Sequence, residues 1–163
     1  MIDMKNGLAE KRLNSVQVIY IDMDDTIADF RGAHQRAIKA NPKVIFPQSR
    51  YGFFEGLKPI EHAIKRVKAL LADERFDPYV LTAPSIRNPL SYTEKRIWIE
   101  QKFGLEFCNR LTISPHKNLL KGGFLIGDFD QGKGQEGFEG ELIHFGSARF
   151  PDWLSVMEYL LSR

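Results

Sequence analysis

Val16, Val18, Ile19, Tyr20 and Ile21 form an almost unbroken apolar run. It is rich in β-branched and aromatic residues, the signature of a strand buried on both faces of a parallel sheet. The run stops abruptly on Asp22, Asp24, Asp25 and Thr26. Beyond Phe30 the spacing predicts a short helix over 32–40, ended at Asn41-Pro42 because proline disfavours helix in the residue before it. Ile45, Phe46, Pro47, Tyr51, Gly52, Phe53 and Phe54 follow no period and predict an aromatic loop. Pro59 is expected to open a second helix, with Ile60, Ile64, Val67 and Leu71 on its apolar face. A short strand over 79–82 ends on Thr82. Ser91 with Glu94 three residues on reads as a capping box for a helix reaching Phe103, closed by Gly104. Further strands are expected at 111–113, 123–126 and 141–145. Asp152 is placed to cap a last helix with Trp153, Val156, Met157, Leu160 and Leu161 on its apolar side.

Strands alternating with helices predict an α/β fold, a doubly wound and mostly parallel Rossmann-like sheet. Such sheets bind ligands outside the C-terminal ends of their strands. This chain collects its chemistry there: Asp22 and Asp24 after the first strand, Thr82 after the second, Lys117 after the third and Asp128 after the fourth.

The 163 residues suffice for one domain with a substantial core and a small insertion. A net charge of +2 with acids and bases interspersed gives no electrostatic case for binding a nucleic-acid polymer. Twelve Phe, five Tyr and two Trp exceed the needs of a minimal core, so some are candidates for a pocket wall. Cys108 is the single cysteine, which excludes an intrachain disulfide and a CxxC site and suits a small packed side chain. Residues 1–14 read as a polar leader without an apolar signal core. No stretch reaches membrane-spanning length, so no membrane contact and a cytoplasmic location are expected. Gly132, Gly134 and Gly137 spell GxGxxG, but after the fourth strand and without a following helix, so a flexible loop is expected. Asp128, Asp130 and Glu139 have partial calcium-loop spacing with Lys133 where that loop needs glycine. His34, His62, His116 and His144 show no metal spacing.

If the strand-end groups converge, they form a site of three carboxylates, one hydroxyl and one ammonium. Hard oxygen donors of high negative charge suit Mg²⁺, which accepts one or two carboxylates and completes its shell with water and phosphate. A phosphate monoester could then bridge the metal and Lys117, with Thr82 on a phosphoryl oxygen. One aspartate could attack phosphorus and a second act as acid and base.

Asp22-Met23-Asp24-Asp25-Thr26 resembles the DxDx(T/V) signature of the haloacid dehalogenase superfamily of phosphatases, and the later order of Thr82, Lys117 and Gly127-Asp128 matches it as well. The resemblance implies Asp22 as nucleophile and Asp24 as acid/base, with the Asp24 main-chain carbonyl and Asp128 also on Mg²⁺. A narrower resemblance, over most of 16–161, is to the 5'(3')-deoxyribonucleotidases. It is carried by IDMDDTIADF, FFEGLKPIEHAIKRVKAL, LTAPS, SYTEKRIWIEQKFG and PDWLSVMEYL. It implies a catalytic core of 15–30 and 77–163 with a small helical cap over 31–76, and a nucleoside monophosphate as substrate. Phe30 and the Phe53-Phe54 pair, Phe54 above all, would contact the base. Lys95 matches a family lysine near the phosphate, beside Thr82 and Ala83 on the substrate. A homodimer is an open alternative that the sequence does not decide.

The chain departs from the family pattern at three places. Asp25-Thr26 stand where many members have Gly-Val or Gly-Thr, Ala83 stands where the animal enzymes have serine, and Gly127 where they have a second aspartate, a role for which Asp130 is a candidate. The alternatives are a phosphatase for another small metabolite, a non-catalytic nucleotide-binding relative, and a phospho-receiver module. The receiver needs its acceptor aspartate at the third strand end, where this chain has Ser114-Pro115.

Overall fold

The computed structural model describes residues 16–163; the expected leader at 1–14 lies outside them. Five strands form one all-parallel sheet: β1 (Gln17–Ile21), β2 (Phe76–Thr82), β3 (Leu111–Ile113), β4 (Phe124–Gly127) and β5 (Glu141–His144). Their order is β3-β2-β1-β4-β5. The chain therefore winds outward from β1 in one direction and, from β4, in the other. The crevice at such a reversal lies at the C-terminal ends of β1 and β4, where Asp22 and Asp128 emerge. Register holds these ends together, with Ile21 opposite both Val80 and Ile126 and the Asp22 N–H donating to the Ile126 carbonyl at 2.8 Å.

The helices are α1 (Phe30–Ala40), α2 (Ala63–Ala72), α3 (Ser91–Phe103) and α4 (Trp153–Leu161). The main core joins Ile19 and Ile21 of β1 and Val80 of β2 to Val67 and Leu70 of α2, Trp98 and Ile99 of α3, and Val156 and Leu160 of α4. Burying such side chains drives the packing at roughly 1.5–3 kcal/mol each. The opposite face is smaller. Tyr20, Leu81 and Leu125 are covered there by Phe138 and Leu120, with no helical residue in that cluster among the described residues. The connections on either side of β4 contain only 3₁₀ turns at Lys117–Leu119 and Gln135–Gly137. Among the described residues no helix is long and apolar enough to cross a membrane.

Several local expectations are corrected. Pro59 does not open a helix, because residues 58–60 are held extended: the Asp29 N–H donates to Lys58 at 2.8 Å and the Ile60 N–H to Ile27 at 2.9 Å. α2 starts only at Ala63, and its inward face is Ala63, Val67 and Leu70, leaving Leu71 exposed. β2 starts earlier than expected and includes Pro78. Proline is tolerated there because β3 pairs only from Val80 onward, and the Pro78 carbonyl on that side accepts from Arg110 at 3.2 Å. β4 and β5 each end one residue away from the expected place, at Gly127 and His144.

Ser91 and Glu94 form no capping box. Ser91 Oγ instead donates to the Ser85 carbonyl at 3.3 Å and accepts the Ser85 N–H at 3.1 Å. The buried Glu94 carboxylate accepts from the N–H groups of Gly52 at 3.0 Å and Phe54 at 2.9 Å, and from Asn88 Nδ2 at 3.3 Å. It ties the aromatic turn of the inserted segment to α3. The Asp152 cap is as expected, with Ser155 completing a capping box, and Trp153, Val156, Met157 and Leu160 face inward. Leu161 is exposed.

Candidate active site

The acidic turn after β1 is built by its own backbone. The Met23 carbonyl accepts the N–H groups of Ile27 and Ala28, each at 2.9 Å, and the Trp153 indole of α4 donates to the Thr26 carbonyl at 2.8 Å. Asp25 sits at the tightest point with φ +54°. Aspartate tolerates this left-handed conformation better than most residues. The Asp25 carboxylate accepts the Arg31 N–H at 2.7 Å, and Asp29 caps α1 by accepting from Gly32 at 2.9 Å.

This turn presents Asp22 and Asp24 to different lysines. Asp22 Oδ1 accepts the Met23 N–H at 2.8 Å, while Oδ2 accepts a short hydrogen bond from the buried Lys117 ammonium. Asp24 Oδ2 accepts from Lys95 Nζ at 2.7 Å. The Asp24 side chain is 31% exposed, yet its Oδ1 is sealed from solvent and has no hydrogen-bond partner. Burial raises the Asp24 pKa above the usual carboxylate range against the opposing pull of Lys95, and the negative charges of Asp22 and Asp25 add to the rise. Thr82 is fully buried at the end of β2, and its hydroxyl and the Ala83 carbonyl each accept from Lys95 at 2.8 Å.

Asp128 completes the group from β4. Its Oδ2 is buried without a hydrogen-bond partner, and the Arg31 guanidinium lies 3.7 Å away. Burial, then the charges of Asp22 and Asp25, push its carboxyl up to about 7. His144 Nε2 holds the Asp128 carbonyl at 3.0 Å. Gly127 leaves space beside Asp22, since a Cβ there would lie 3.4 Å from Asp22 Cβ, an ordinary contact. Asp130 and His116 are exposed and lie on the surface.

No three of the described His, Cys, Asp and Glu side chains form a ready-made metal cage. The donor set nevertheless fits a hard divalent ion. Asp22 and Asp128 are close enough for one charge to raise the other's pKa, and a buried carboxylate oxygen of Asp128 accepts no hydrogen bond among the described residues and faces the Arg31 guanidinium at 3.7 Å. An ion that takes few protein carboxylates and retains waters suits such a site.

A cavity of about 380 Å³ opens over these carboxylates, lined by Asp24, Asp128, Phe30, His34, Gln48 and Phe129 among others. Phe30 stacks on His34 with ring centroids 5.8 Å apart and on Phe54 at 6.0 Å. Phe54 is buried beneath Phe30 and Phe53 and does not line this cavity. The structure thus brings Asp22, Asp24, Thr82, Ala83, Lys95, Lys117 and Asp128 together at one end of the sheet. Phe30 stands at the rim of the cavity and Phe54 behind it. The sequence reading missed Phe129, His34 and Arg31 as lining residues, and Glu94 as an anchor. A signal for the last existed: positions 91, 94, 95, 98 and 99 share one helical face, and three of the five are polar.

A parallel α/β sheet with an acid pair at its central strand, an opposed lysine and a carboxylate across the reversal point defines a phosphatase of the haloacid dehalogenase type. No protein-family model matches the chain. It is 36% identical over 164 residues to a Vibrio phage KVP40 protein named "Putative 5'(3')-deoxyribonucleotidase", covering 98% of this chain and 93% of that one. It is 27% identical to the human "5'(3')-deoxyribonucleotidase, cytosolic type", covering 75% of each. A Staphylococcus epidermidis protein with the same name as the phage one is 28% identical over 90% of this chain and 97% of its own length. The chain belongs to the 5'(3')-deoxyribonucleotidase family.

Proposed function

We propose that the protein is a Mg²⁺-dependent phosphomonoesterase that hydrolyses deoxyribonucleoside monophosphates through an aspartyl-phosphate on Asp22. The reading is carried by one observation: Asp22 and Asp24, two residues apart, are each held by a separate buried lysine at the β1 end of the reversal crevice. Two carboxylates with different partners can take different roles.

Asp22 attacks phosphorus, and a bond to its carboxylate oxygen forms as the bond to the sugar oxygen breaks. Asp24, whose raised pKa favours the protonated acid, gives its proton to the departing alcohol. Water then attacks the phosphorus of the acyl phosphate and passes its proton to Asp24. The bond to Asp22 breaks and inorganic phosphate leaves. Lys117 and the Thr82 hydroxyl stabilise the charge on the phosphoryl oxygens. Asp22, Asp128 and the Asp24 carbonyl would hold the cation, which when bound offsets the repulsion between a carboxylate nucleophile and a phosphate dianion. The inserted segment 31–76 serves as the cap, with Phe30 and its aromatic neighbours giving apolar contact to the base.

A phosphate-release assay with Mg²⁺ tests the reading across deoxyribonucleoside and ribonucleoside monophosphates and sugar phosphates. Turnover is expected with the deoxyribonucleotides and is expected to stop on chelation. Turnover confined to sugar phosphates would instead favour the small-metabolite phosphatase.

Asp128 gives a second expectation. Its carboxyl titrates near 7 in the folded, metal-free protein and near the ordinary 3.9 in the unfolded chain. Between these values the folded state holds a proton that the unfolded state has lost, so this contribution to stability declines as pH rises from about 4 to 7. Protons and Mg²⁺ compete for the same oxygens, so Mg²⁺ is expected to raise Tm more at pH 8 than at pH 5.5. Thermal melts of wild type and Asp128→Asn check this. A pH dependence of the Mg²⁺ shift that is identical in both would discard the Asp128 assignment.

A further inference from the structure

Two buried lysines meet the acid pair, and they are differently committed. Among the described residues Lys117 Nζ donates to Asp22 alone, which leaves two of its protons for another acceptor. Lys95 Nζ donates to Asp24 Oδ2 at 2.7 Å, to Thr82 Oγ1 at 2.8 Å and to the Ala83 carbonyl at 2.8 Å. An ammonium has three N–H donors, so all three are in use. The side chain is fully buried, and the Phe54 ring centroid lies 4.9 Å from Nζ. The preceding residue, Glu94, is anchored to the backbone of Gly52 and Phe54, which fixes this turn of α3.

We infer that Lys95 is a positioning residue for the proton donor and the phosphate-binding hydroxyl, and not a phosphate ligand. By holding Asp24 Oδ2 it fixes the orientation of a carboxyl group that lines the cavity, where the proton is transferred. By filling an acceptor site on Thr82 it leaves the hydroxyl proton to be donated to a phosphoryl oxygen. A phosphoryl oxygen could reach Lys95 only by displacing one of these three bonds. This assignment rests on the proposed acid role of Asp24.

The test compares two esters that differ in their need for an acid. The sugar oxygen of thymidine 5'-monophosphate must be protonated as it leaves, whereas p-nitrophenolate leaves unaided. Lys95→Met is expected to lower kcat/KM, which reports the steps up to departure of the alcohol, by about 10²–10³-fold on thymidine 5'-monophosphate but by about tenfold or less on p-nitrophenyl phosphate. The inhibition constant of inorganic phosphate is expected to stay within about threefold of wild type, while Lys117→Met raises it by at least about tenfold. If Lys95→Met folds poorly, Lys95→Met combined with Asp24→Asn removes both charges together. That double variant is expected to lose no more than about tenfold beyond Asp24→Asn alone on thymidine 5'-monophosphate, the remainder acting through Thr82, and so to fall well short of the product of the two single losses. Equal losses on both esters, a weakened phosphate inhibition, or multiplying losses in the double variant would each overturn the inference and leave the proposed function standing. A wild-type enzyme inactive on both esters, or an Asp24→Asn variant indifferent to the leaving group, overturns the proposed function and this inference with it.

Discussion

Asp22→Asn is expected to lower phosphate release on the order of 10⁴-fold or more, in the range seen when a covalent nucleophile is removed. Asparagine matches aspartate in shape, and its amide oxygen can still accept the Met23 N–H that aligns the side chain. What it loses is the negative oxygen that would bond to phosphorus, together with the charge opposite Lys117. Substrate binding is therefore spared more than turnover is. The repulsion between Asp22 and the phosphate dianion disappears, which partly offsets any weaker hold on the cation. Acid-quenched reactions with phosphorus-labelled substrate should leave label on the wild-type protein and none on the variant. A variant that retains activity within tenfold of wild type would remove Asp22 from the chemistry.

Lys117→Met is expected to act on both activity and stability. Its ammonium is buried against Asp22, with Asp128 close enough for Lys117 to lower its pKa. Removing one member of a buried ion pair costs about 3–5 kcal/mol, because the remaining charge is left without compensation. Loss of a preorganised cation at the phosphoryl oxygens lowers kcat/KM by about 10²–10³-fold. The position is also enforced from outside. The Lys117 N–H donates to the Lys133 carbonyl at 2.9 Å, and Gly134, at φ +81°, passes so close that a Cβ would lie 3.1 Å from the Lys117 nitrogen. The glycine-rich loop thus supports Lys117. Thermal melts and phosphate inhibition measured on Lys117→Met read the two effects separately. A variant as stable as wild type, with unchanged phosphate inhibition, would contradict both.

Residue order alone revealed the strands and the acidic turn because those signals are local. A run such as Val18 to Ile21, short and rich in β-branched and aromatic residues, suits a strand buried on both faces, and the abrupt change to aspartate marks where that burial ends. The Asp152 cap was legible for the same reason, since its partner Ser155 is three residues away. Pro59 misled because its extended backbone is imposed by Ile27 and Asp29, roughly thirty residues earlier. Ser91 and Glu94 had the spacing of a capping box, but Glu94 found backbone donors at the distant Gly52 and Phe54 and a side-chain donor at nearby Asn88, and Ser91 found a neighbouring loop. Phe54 was placed against the base only by the family resemblance. Its burial beneath Phe30 and Phe53 depends on how the inserted segment folds back over α3.

The primary structure was enough to give the class of fold and the end of the sheet where the polar side chains gather, because hydrophobic periodicity and strand-end residues are properties of short stretches. Which lysine meets which aspartate was decided by the folded chain. Lys117 stood out only by its place after the third strand and Lys95 only by the family resemblance, and their separate partners follow from the register of β1 against β2 and β4, the anchoring of α3 by Glu94 and the close passage of Gly134. An ammonium's role depends on how many of its protons are already taken, and that count exists only after distant segments have packed together.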